Sequence, residues 1–119
     1  MVHTFFKSFQ HAFNGLRQML FAERNFTIHI IAAFLAIAVC IFLNATDTEL
    51  MIVIICIAVV TGFEVMNSAI EKLCDFVQPG YSKKIKTIKD MAAAAVLIVA
   101  LAAFVIGIII FVPKLVELF

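Results

Sequence analysis

Long apolar stretches separated by short polar connections set the pattern of this 119-residue chain. Residues 26–43, 50–73 and 91–112 consist mainly of Leu, Ile, Val, Ala and Phe. Their lengths bracket the roughly 20 residues that a helix needs to cross a hydrocarbon core about 30 Å thick. Inside a bilayer, such stretches satisfy their backbone polar groups as helices. The pattern therefore predicts an all-α integral membrane protein with three transmembrane helices, forming a single domain over residues 1–119.

The N-terminal segment, residues 1–22, has apolar and polar side chains on opposite sides of a helix. We expect an amphipathic surface helix that lies in the membrane interface. A secretory signal peptide is the rival interpretation, and it fits poorly because the segment lacks an uninterrupted apolar core and a small-residue cleavage site. The apolar side is formed by Phe5, Phe9, Phe13, Leu16 and Leu20, and the polar side by Lys7, Gln10, Asn14 and Arg17.

Composition supports the membrane assignment, since 65% of the residues are hydrophobic and only 14% are charged. A soluble domain of this size rarely has so little polar surface. The formal net charge of +1 gives no basis for nucleic-acid binding. The three cysteines lack the spacing of a zinc site or a disulfide framework, so we interpret them as small buried apolar residues.

Basic residues are distributed unevenly around the predicted spans. The connection between the first two spans contains Asp47 and Glu49 but no Lys or Arg. By the positive-inside rule this connection lies outside the cell, and the N-terminus and the second connection are cytoplasmic. The C-terminal tail is then also outside, where its basic residue Lys114 is an exception to the rule. The cytoplasmic basic residues are Lys7, Arg17 and Arg24 before the first span, and Lys72, Lys83, Lys84, Lys86 and Lys89 between the second and third.

Polar side chains interrupt the cytoplasmic half of the second span. Glu64, Asn67, Glu71 and Asp75 are spaced i, i+3, i+7 and i+11, so they form one stripe along a helix, and Ser68 borders it. Counted from the outer end of the span, Glu64 lies about 21 Å along the helix, inside the bilayer. A carboxylate at membrane depth costs at least about 2.5 kcal/mol. The stripe therefore predicts a functional site, although Asn and Ser also serve as structural contacts between helices.

Clustered carboxylates without His or Cys partners suit a hard cation such as Mg²⁺, which binds through one or two carboxylates and substrate phosphates. Nearby lysines can neutralise a polyphosphate, and a carboxylate at membrane depth can accept a proton from a lipid hydroxyl. These features indicate phosphoryl transfer from a metal–nucleotide complex to a membrane alcohol. The sequence contains neither a P-loop nor a kinase glycine-rich loop, the two common nucleotide-binding loops.

Three segments closely resemble the prokaryotic diacylglycerol kinase family, which includes the undecaprenol kinases. They are AERNF at residues 22–26, EVMNSAIEKLCD at residues 64–75 and KTIKDMAAAAVLI at residues 86–98. The resemblance implies a homotrimeric bundle of three-helix protomers, each with a surface helix, whose active sites are shared between neighbours. It also implies that MgATP is used to phosphorylate a lipid alcohol at the cytoplasmic face of a bacterial cell membrane.

The resemblance also implies roles for matching positions. Glu64 matches the general base that takes the proton of the substrate hydroxyl, and Glu23 and Glu71 match metal-binding acids. The surface helix, where Gly15-Leu16-Arg17 matches, is where the lipid enters. Asn67, Asp75, Lys89 and Asp90 match residues that orient the base or bind the nucleotide phosphates. We add Arg17 as a further nucleotide ligand. The expected substrate ligands are Glu64, Asn67 and Ser68.

Two departures from the family pattern fall in the second connection, where many members have P-E-Y-H. Pro79 and Tyr81 are kept, but Gly80 and Ser82 replace the acid and the imidazole that help to hold the nucleotide. The base and metal positions are intact. The departures therefore bear on the contacts to the nucleotide and on ATP affinity.

Structural interpretations stay open for several candidate residues. Lys89 and Asp90 are also compatible with the start of a helix, because Asp is a good N-cap. Glu23 is also compatible with an exposed interfacial charge. We interpret His29, on the first span, as a packing or interhelix hydrogen-bonding residue.

Two other functions remain open at this point. Intramembrane acids also mark ion pathways, so one alternative is a small proton- or cation-coupled transporter or channel. The other is a non-catalytic trimeric relative of the kinases, because Gly80 and Ser82 replace nucleotide-binding residues. Within the family, ERNF followed by His29, and IIIFVPK near the C-terminus, look more like the undecaprenol kinase branch than the diacylglycerol kinase branch.

Overall fold

Four α-helices make up the fold, and the computed structural model describes all 119 residues. Three of the helices are long and apolar enough to cross a membrane. The predicted all-α fold with three candidate spans is therefore confirmed. The helices are α1 (Val2–Ala22), α2 (Arg24–Phe42), α3 (Asp47–Val77) and α4 (Lys83–Leu118).

A single residue, Glu23, separates α1 from α2. Its backbone is extended, with φ −113° and ψ 103°, so the chain turns sharply between the two helices. The hydroxyl of Thr27 donates a hydrogen bond of 3.0 Å to the carbonyl oxygen of Leu20, which joins the last turn of α1 to the first turn of α2. Glu23 consequently lies at the corner between the amphipathic helix and the first span.

The turn between α2 and α3 is short because each helix end is capped locally. Asn44 has φ 55°, a left-handed conformation that Asn tolerates better than most residues. Two backbone bonds close α2, from Ala45 N to Cys40 O at 2.9 Å and from Asn44 N to Ile41 O at 3.2 Å. This is the pattern of a Schellman motif, in which carbonyls left free at the helix end find partners.

A capping box starts α3. The hydroxyl of Thr46 accepts a hydrogen bond from Glu49 N at 3.1 Å, and Glu49 Oε1 accepts one from Thr46 N at 2.9 Å. Each bond satisfies a backbone donor that a helix start leaves free. The adjacent helix ends therefore form a tight hairpin.

The Thr46→Ala substitution should lower the free energy of unfolding by about 1 kcal/mol, because Ala cannot cap the first turn of α3. The measurement is thermal unfolding of the purified protein in detergent. Thr46→Ser, which keeps the hydroxyl, is the control and should unfold at nearly the wild-type temperature. Equal loss of stability in both variants would contradict the capping role.

The same end of the bundle contains an ion pair between α3 and α4. Lys114 Nζ lies 2.9 Å from Glu49 Oε1, and both side chains are mostly buried. Beside it, Cys40, Val53 and Ile110 form a small buried cluster that joins α2, α3 and α4. The pairing gives a structural reason for Lys114, the basic residue that the charge pattern left as an exception.

Helix α4 begins at Lys83, well before the apolar stretch of residues 91–112. Its N-cap is Ser82, whose hydroxyl accepts from Ile85 N at 3.5 Å. Lys89 and Asp90 lie inside the helix, so the interpretation that they mark its start is wrong. The helix also continues past Pro113 to Leu118, so most of the predicted tail is helical.

Helices α3 and α4 are longer than a bilayer is thick. Their 31 and 36 residues correspond to about 46 and 54 Å, against a hydrocarbon core of about 30 Å. The end of α3 and the lysine-rich start of α4 therefore extend beyond the hydrocarbon. Only 8 of 119 residues are buried within the single chain, which leaves most of its apolar side chains to face lipid or another protein surface.

Candidate active site

Glu64 is the deepest acid of the predicted stripe. It lies on α3 and is only 9% exposed, and Ser68, one turn further along, is 8% exposed. These two are the only buried polar residues in the chain. The stripe therefore places a carboxylate and a hydroxyl inside the bundle, whereas Asn67 and Glu71 are half-buried.

The carboxylate of Glu64 contacts an imidazole on the neighbouring helix. Nδ1 of His29, on α2, lies against Oε1 of Glu64. The second oxygen, Oε2, is buried without a hydrogen-bond partner, as are Oδ1 of Asn67 one turn away and Nδ1 of His29. Buried acceptors are normally paired, and an unpaired one costs about 1–3 kcal/mol. Two free acceptors at this depth suit a site whose donor arrives with a ligand.

The corner between α1 and α2 meets the far part of the stripe. Lys72 Nζ lies 3.4 Å from Glu23 Oε1, and Lys72 directly follows Glu71 on α3. The ion pair therefore brings Glu23 to the turn of α3 that carries Glu71. Two acids from distant parts of the sequence are gathered at one level of the bundle.

Ion pairs also join the end of α3 to the start of α4. Lys89 Nζ is hydrogen-bonded to Asp75 Oδ1 across the two helices. Within α4, Lys86 Nζ lies 2.7 Å from Asp90 Oδ2. The Asp75 side chain is 64% exposed, and exposed ion pairs of this kind contribute only about 0–1 kcal/mol to stability. The lysines can thus exchange their carboxylate partners for an incoming phosphate at small cost.

The structure of the single chain does not bring every predicted residue together. Arg17 lies on the exposed surface of α1, with its guanidinium 5.7 Å from the centre of the Phe21 ring. It forms no ion pair with another predicted site residue. Gly80 and Ser82 lie between α3 and α4, where Ser82 serves as the N-cap described above.

The chain does not form a complete metal cage by itself. No three His, Cys, Asp or Glu side chains of the chain lie close enough together to hold a metal ion. Mg²⁺ usually binds through one or two carboxylates together with substrate phosphates and water. Glu23 and Glu71 match that donor set, so these residues fit a magnesium ion that arrives with a nucleotide.

An apolar groove adjoins the Glu64–His29 contact. Its volume is about 470 Å³, and 12 of its 15 lining residues are hydrophobic. Helices α2, α3 and α4 all line it, and its polar residues include His29 and Thr61. Small side chains, among them Ala32, Ala36, Ala103 and Gly107, leave the space open. An apolar molecule in the groove would contact His29, the residue that lies against the Glu64 carboxylate.

His29 is not among the predicted site residues. Its predicted role is packing or hydrogen bonding between helices, and the structure supplies the partner, Glu64. Helical spacing shows which residues share a face of one helix, but not which faces of two helices meet. The pairing with Glu64 therefore required the structure.

Comparison with known proteins gives a consistent result. The prokaryotic diacylglycerol kinase family matches residues 10–111. The undecaprenol kinase of Bacillus subtilis is 38% identical over 115 residues, which are 96% of this chain and 93% of the relative. The diacylglycerol kinase of a Synechocystis species is 30% identical over 112 residues, 93% of this chain and 64% of the relative.

A third relative is more distant. The diacylglycerol kinase of Escherichia coli K12 is 29% identical over 99 residues, 83% of this chain and 81% of the relative. The family match begins within α1, covers α2 and α3 completely and ends within α4, and it includes every candidate site residue from Arg17 to Asp90. The chain therefore belongs to the prokaryotic diacylglycerol kinase family and is a multi-pass membrane lipid kinase.

Proposed function

We propose that this protein transfers the γ-phosphoryl group of ATP to the hydroxyl of a membrane lipid, with Glu64 as the general base. The observation that carries the proposal is the buried Glu64 carboxylate, which has one oxygen against His29 and the other without a partner. A hydroxyl donating to Oε2 would satisfy that oxygen. The same oxygen is then in place to take the proton.

The reaction needs one proton transfer and one displacement. The hydroxyl proton passes to Glu64 as the lipid oxygen forms a bond to the γ-phosphorus. The bond between that phosphorus and the bridging oxygen breaks, and ADP leaves with the electron pair. The products are the lipid monophosphate and ADP. Asn67 and Ser68 lie within one turn of Glu64 on α3 and would hold the hydroxyl.

Glu23 and Glu71 would hold Mg²⁺ together with the phosphates of ATP. The ion supplies charge neutralisation during phosphoryl transfer. The protein's contribution is to keep two carboxylates at the level of the bundle where the α1–α2 corner meets α3. The Lys72–Glu23 contact of 3.4 Å supports that arrangement.

The charged end of the bundle would bind the nucleotide. Lys89 offers a cation for the phosphates, and Asn67, Asp75 and Asp90 would orient the base or the phosphates. Arg17 would join them from the surface helix. The ion pairs Lys86–Asp90 and Lys89–Asp75 support this assignment, because they lie at the surface and a phosphate could reach both lysines.

We infer that the active form is a homotrimer with sites shared between neighbours. Arg17 makes no ion pair within its own chain, and no three acids meet there. A neighbouring chain would complete the site and cover part of the exposed apolar surface. We place the protein in a bacterial cell membrane. The distribution of basic residues favours an orientation in which the N-terminus and the charged end of the bundle, with Asp75 and Lys89, are cytoplasmic.

The proposed lipid is undecaprenol, with diacylglycerol as a second substrate. Undecaprenol kinase is the name of the Bacillus relative that covers 96% of this chain, whereas the two relatives named diacylglycerol kinase are less similar. Both lipids present a hydroxyl at the interface and apolar chains in the bilayer. The groove beside His29 is apolar enough for either.

The test is transfer of ³²P from labelled ATP to lipid by the purified protein in mixed micelles with Mg²⁺. We expect label in both lipids and a higher kcat/KM for undecaprenol. Glu117→Gln, at an exposed acid near the C-terminus, is the matched control and should behave as wild type. Nucleotide binding without transfer would make the protein a non-catalytic relative, and ion movement in proteoliposomes without ATP would make it a transporter.

A further inference from the structure

The Glu64 carboxylate has a single side-chain partner in the chain. His29 is its only polar partner, through Nδ1 and Oε1, and the contact joins α2 to α3. Nδ1 is buried and forms no hydrogen bond of standard geometry, although the His29 side chain as a whole is 42% exposed. The imidazole therefore presents its buried nitrogen to the carboxylate and leaves other ring atoms accessible.

The chemistry of the two groups sets the direction that a hydrogen bond between them would take. An ionised carboxylate can only accept, so a favourable contact requires a proton on Nδ1. In neutral imidazole this leaves Nε2 without a proton. Oε1 is then held by the ring, and Oε2 is the oxygen left free to accept from another donor.

A carboxylate on a long side chain needs such a constraint to act as a base. Glu64 has no polar side-chain partner other than His29, so packing and His29 alone determine its orientation. A misplacement of about 1 Å at a reacting group can cost on the order of 10²-fold in rate. A donor on α2, such as His29, can fix the orientation of the Glu64 carboxylate because its own position is set by a different helix.

We propose that His29 is a positioning residue, which donates from Nδ1 to Oε1 of Glu64 and thereby directs Oε2 toward the lipid hydroxyl. This inference rests on the proposed role of Glu64 as general base. It assigns His29 no direct contact with the reacting phosphorus and no transfer of the substrate proton.

Three substitutions separate positioning from packing. His29→Leu removes the donor, and we expect kcat to fall about 20-fold with little change in KM for lipid or ATP, because binding does not use the contact. His29→Asn places an amide N–H at the position of Nδ1, since both atoms are bonded to Cγ, and should restore most of kcat. His29→Gln carries its amide one bond further out and should restore less.

Melting temperature and oligomer size of each variant serve as controls for folding. Wild-type kcat in His29→Leu would overturn the proposal. Equal losses in the Asn and Leu variants would overturn it as well, because a lost donor would then not explain the effect. A rise in KM without a fall in kcat would identify His29 as a binding residue instead.

A second measurement uses no turnover. The chain has three histidines, His3, His11 and His29, so ¹⁵N spectra of histidine-labelled protein in micelles can be assigned with His29→Asn. We expect Nδ1 of His29 to carry a proton in the wild type, and we expect Glu64→Leu to abolish this preference. An unprotonated Nδ1, or a signal that Glu64→Leu leaves unchanged, would overturn the proposal. Failure of Glu64 as base would instead appear as turnover by Glu64→Gln, with the ¹⁵N result intact.

Discussion

Replacing Glu64 with Gln is expected to lower kcat by about 10³-fold, within the range that a general base contributes. The amide has nearly the same shape as the carboxylate, and its carbonyl can still accept from His29, but it cannot take the proton of the lipid hydroxyl. Since Glu64 is not proposed to hold ATP, KM for ATP should change by less than about threefold. Steady-state transfer of phosphate to lipid at saturating ATP is the measurement.

The control for this prediction is Glu117→Gln, which makes the same chemical change at an exposed acid on the last turns of α4. It should retain wild-type kcat. Full activity of Glu64→Gln would show that another group takes the proton. In that case the unpaired oxygen of Glu64 would need a different explanation.

The second large effect is expected from Glu71→Gln. Loss of a carboxylate ligand should weaken the magnesium site and lower kcat/KM for MgATP by about 10²-fold, since the loss of even a supporting hydrogen bond at a metal site costs 10–100-fold. Raising the Mg²⁺ concentration should restore part of the activity. The same increase should not restore Glu64→Gln, because that variant lacks the base rather than the ion.

Metal binding can be followed without catalysis. Mn²⁺, which takes similar oxygen ligands, can be titrated by electron paramagnetic resonance in the presence of a non-hydrolysable ATP analogue. Glu71→Gln should weaken its binding, and Glu117→Gln should not. Wild-type Mn²⁺ affinity in Glu71→Gln would contradict the role of Glu71 as a ligand.

The fold follows from features that act locally along the chain. A run of about 20 apolar residues has few alternatives to a spanning helix, so α2, α3 and α4 could be predicted from composition alone. The amphipathic pattern of residues 1–22 corresponds to α1, Val2–Ala22. The acidic stripe could also be predicted, because helical periodicity places Glu64 and Glu71 on related faces of one helix.

The start of α4 is harder to predict, because the helix begins at Lys83 and the apolar stretch begins only at residue 91. Ser82 caps the helix, and four of its first seven residues are lysines, so the helix begins before the apolar stretch does. The signal for this start is Ser82, an N-cap residue directly before a lysine-rich segment. Hydrophobicity does not detect it, because the first turns of the helix are mostly polar.

Contacts between helices were beyond the sequence pattern. The pairing of His29 with Glu64, and of Lys114 with Glu49, depends on how the helices pack against one another. Within one helix, spacing relates residues three or four apart, but no such rule relates α2 to α3. The position of Arg17 relative to the site also depends on helix packing, because the corner at Glu23 sets how α1 lies against the other helices.

The most direct test of the central claim is the ratio of lipid monophosphate formed to ADP released by the wild-type protein. Purified protein in micelles would be given MgATP and undecaprenol, with both products quantified over the same interval. Phosphoryl transfer to the lipid predicts one lipid monophosphate for each ADP, and no ADP above background when the lipid is omitted. ADP released without lipid monophosphate, or no ADP from a folded protein with either undecaprenol or dioleoylglycerol, would contradict it.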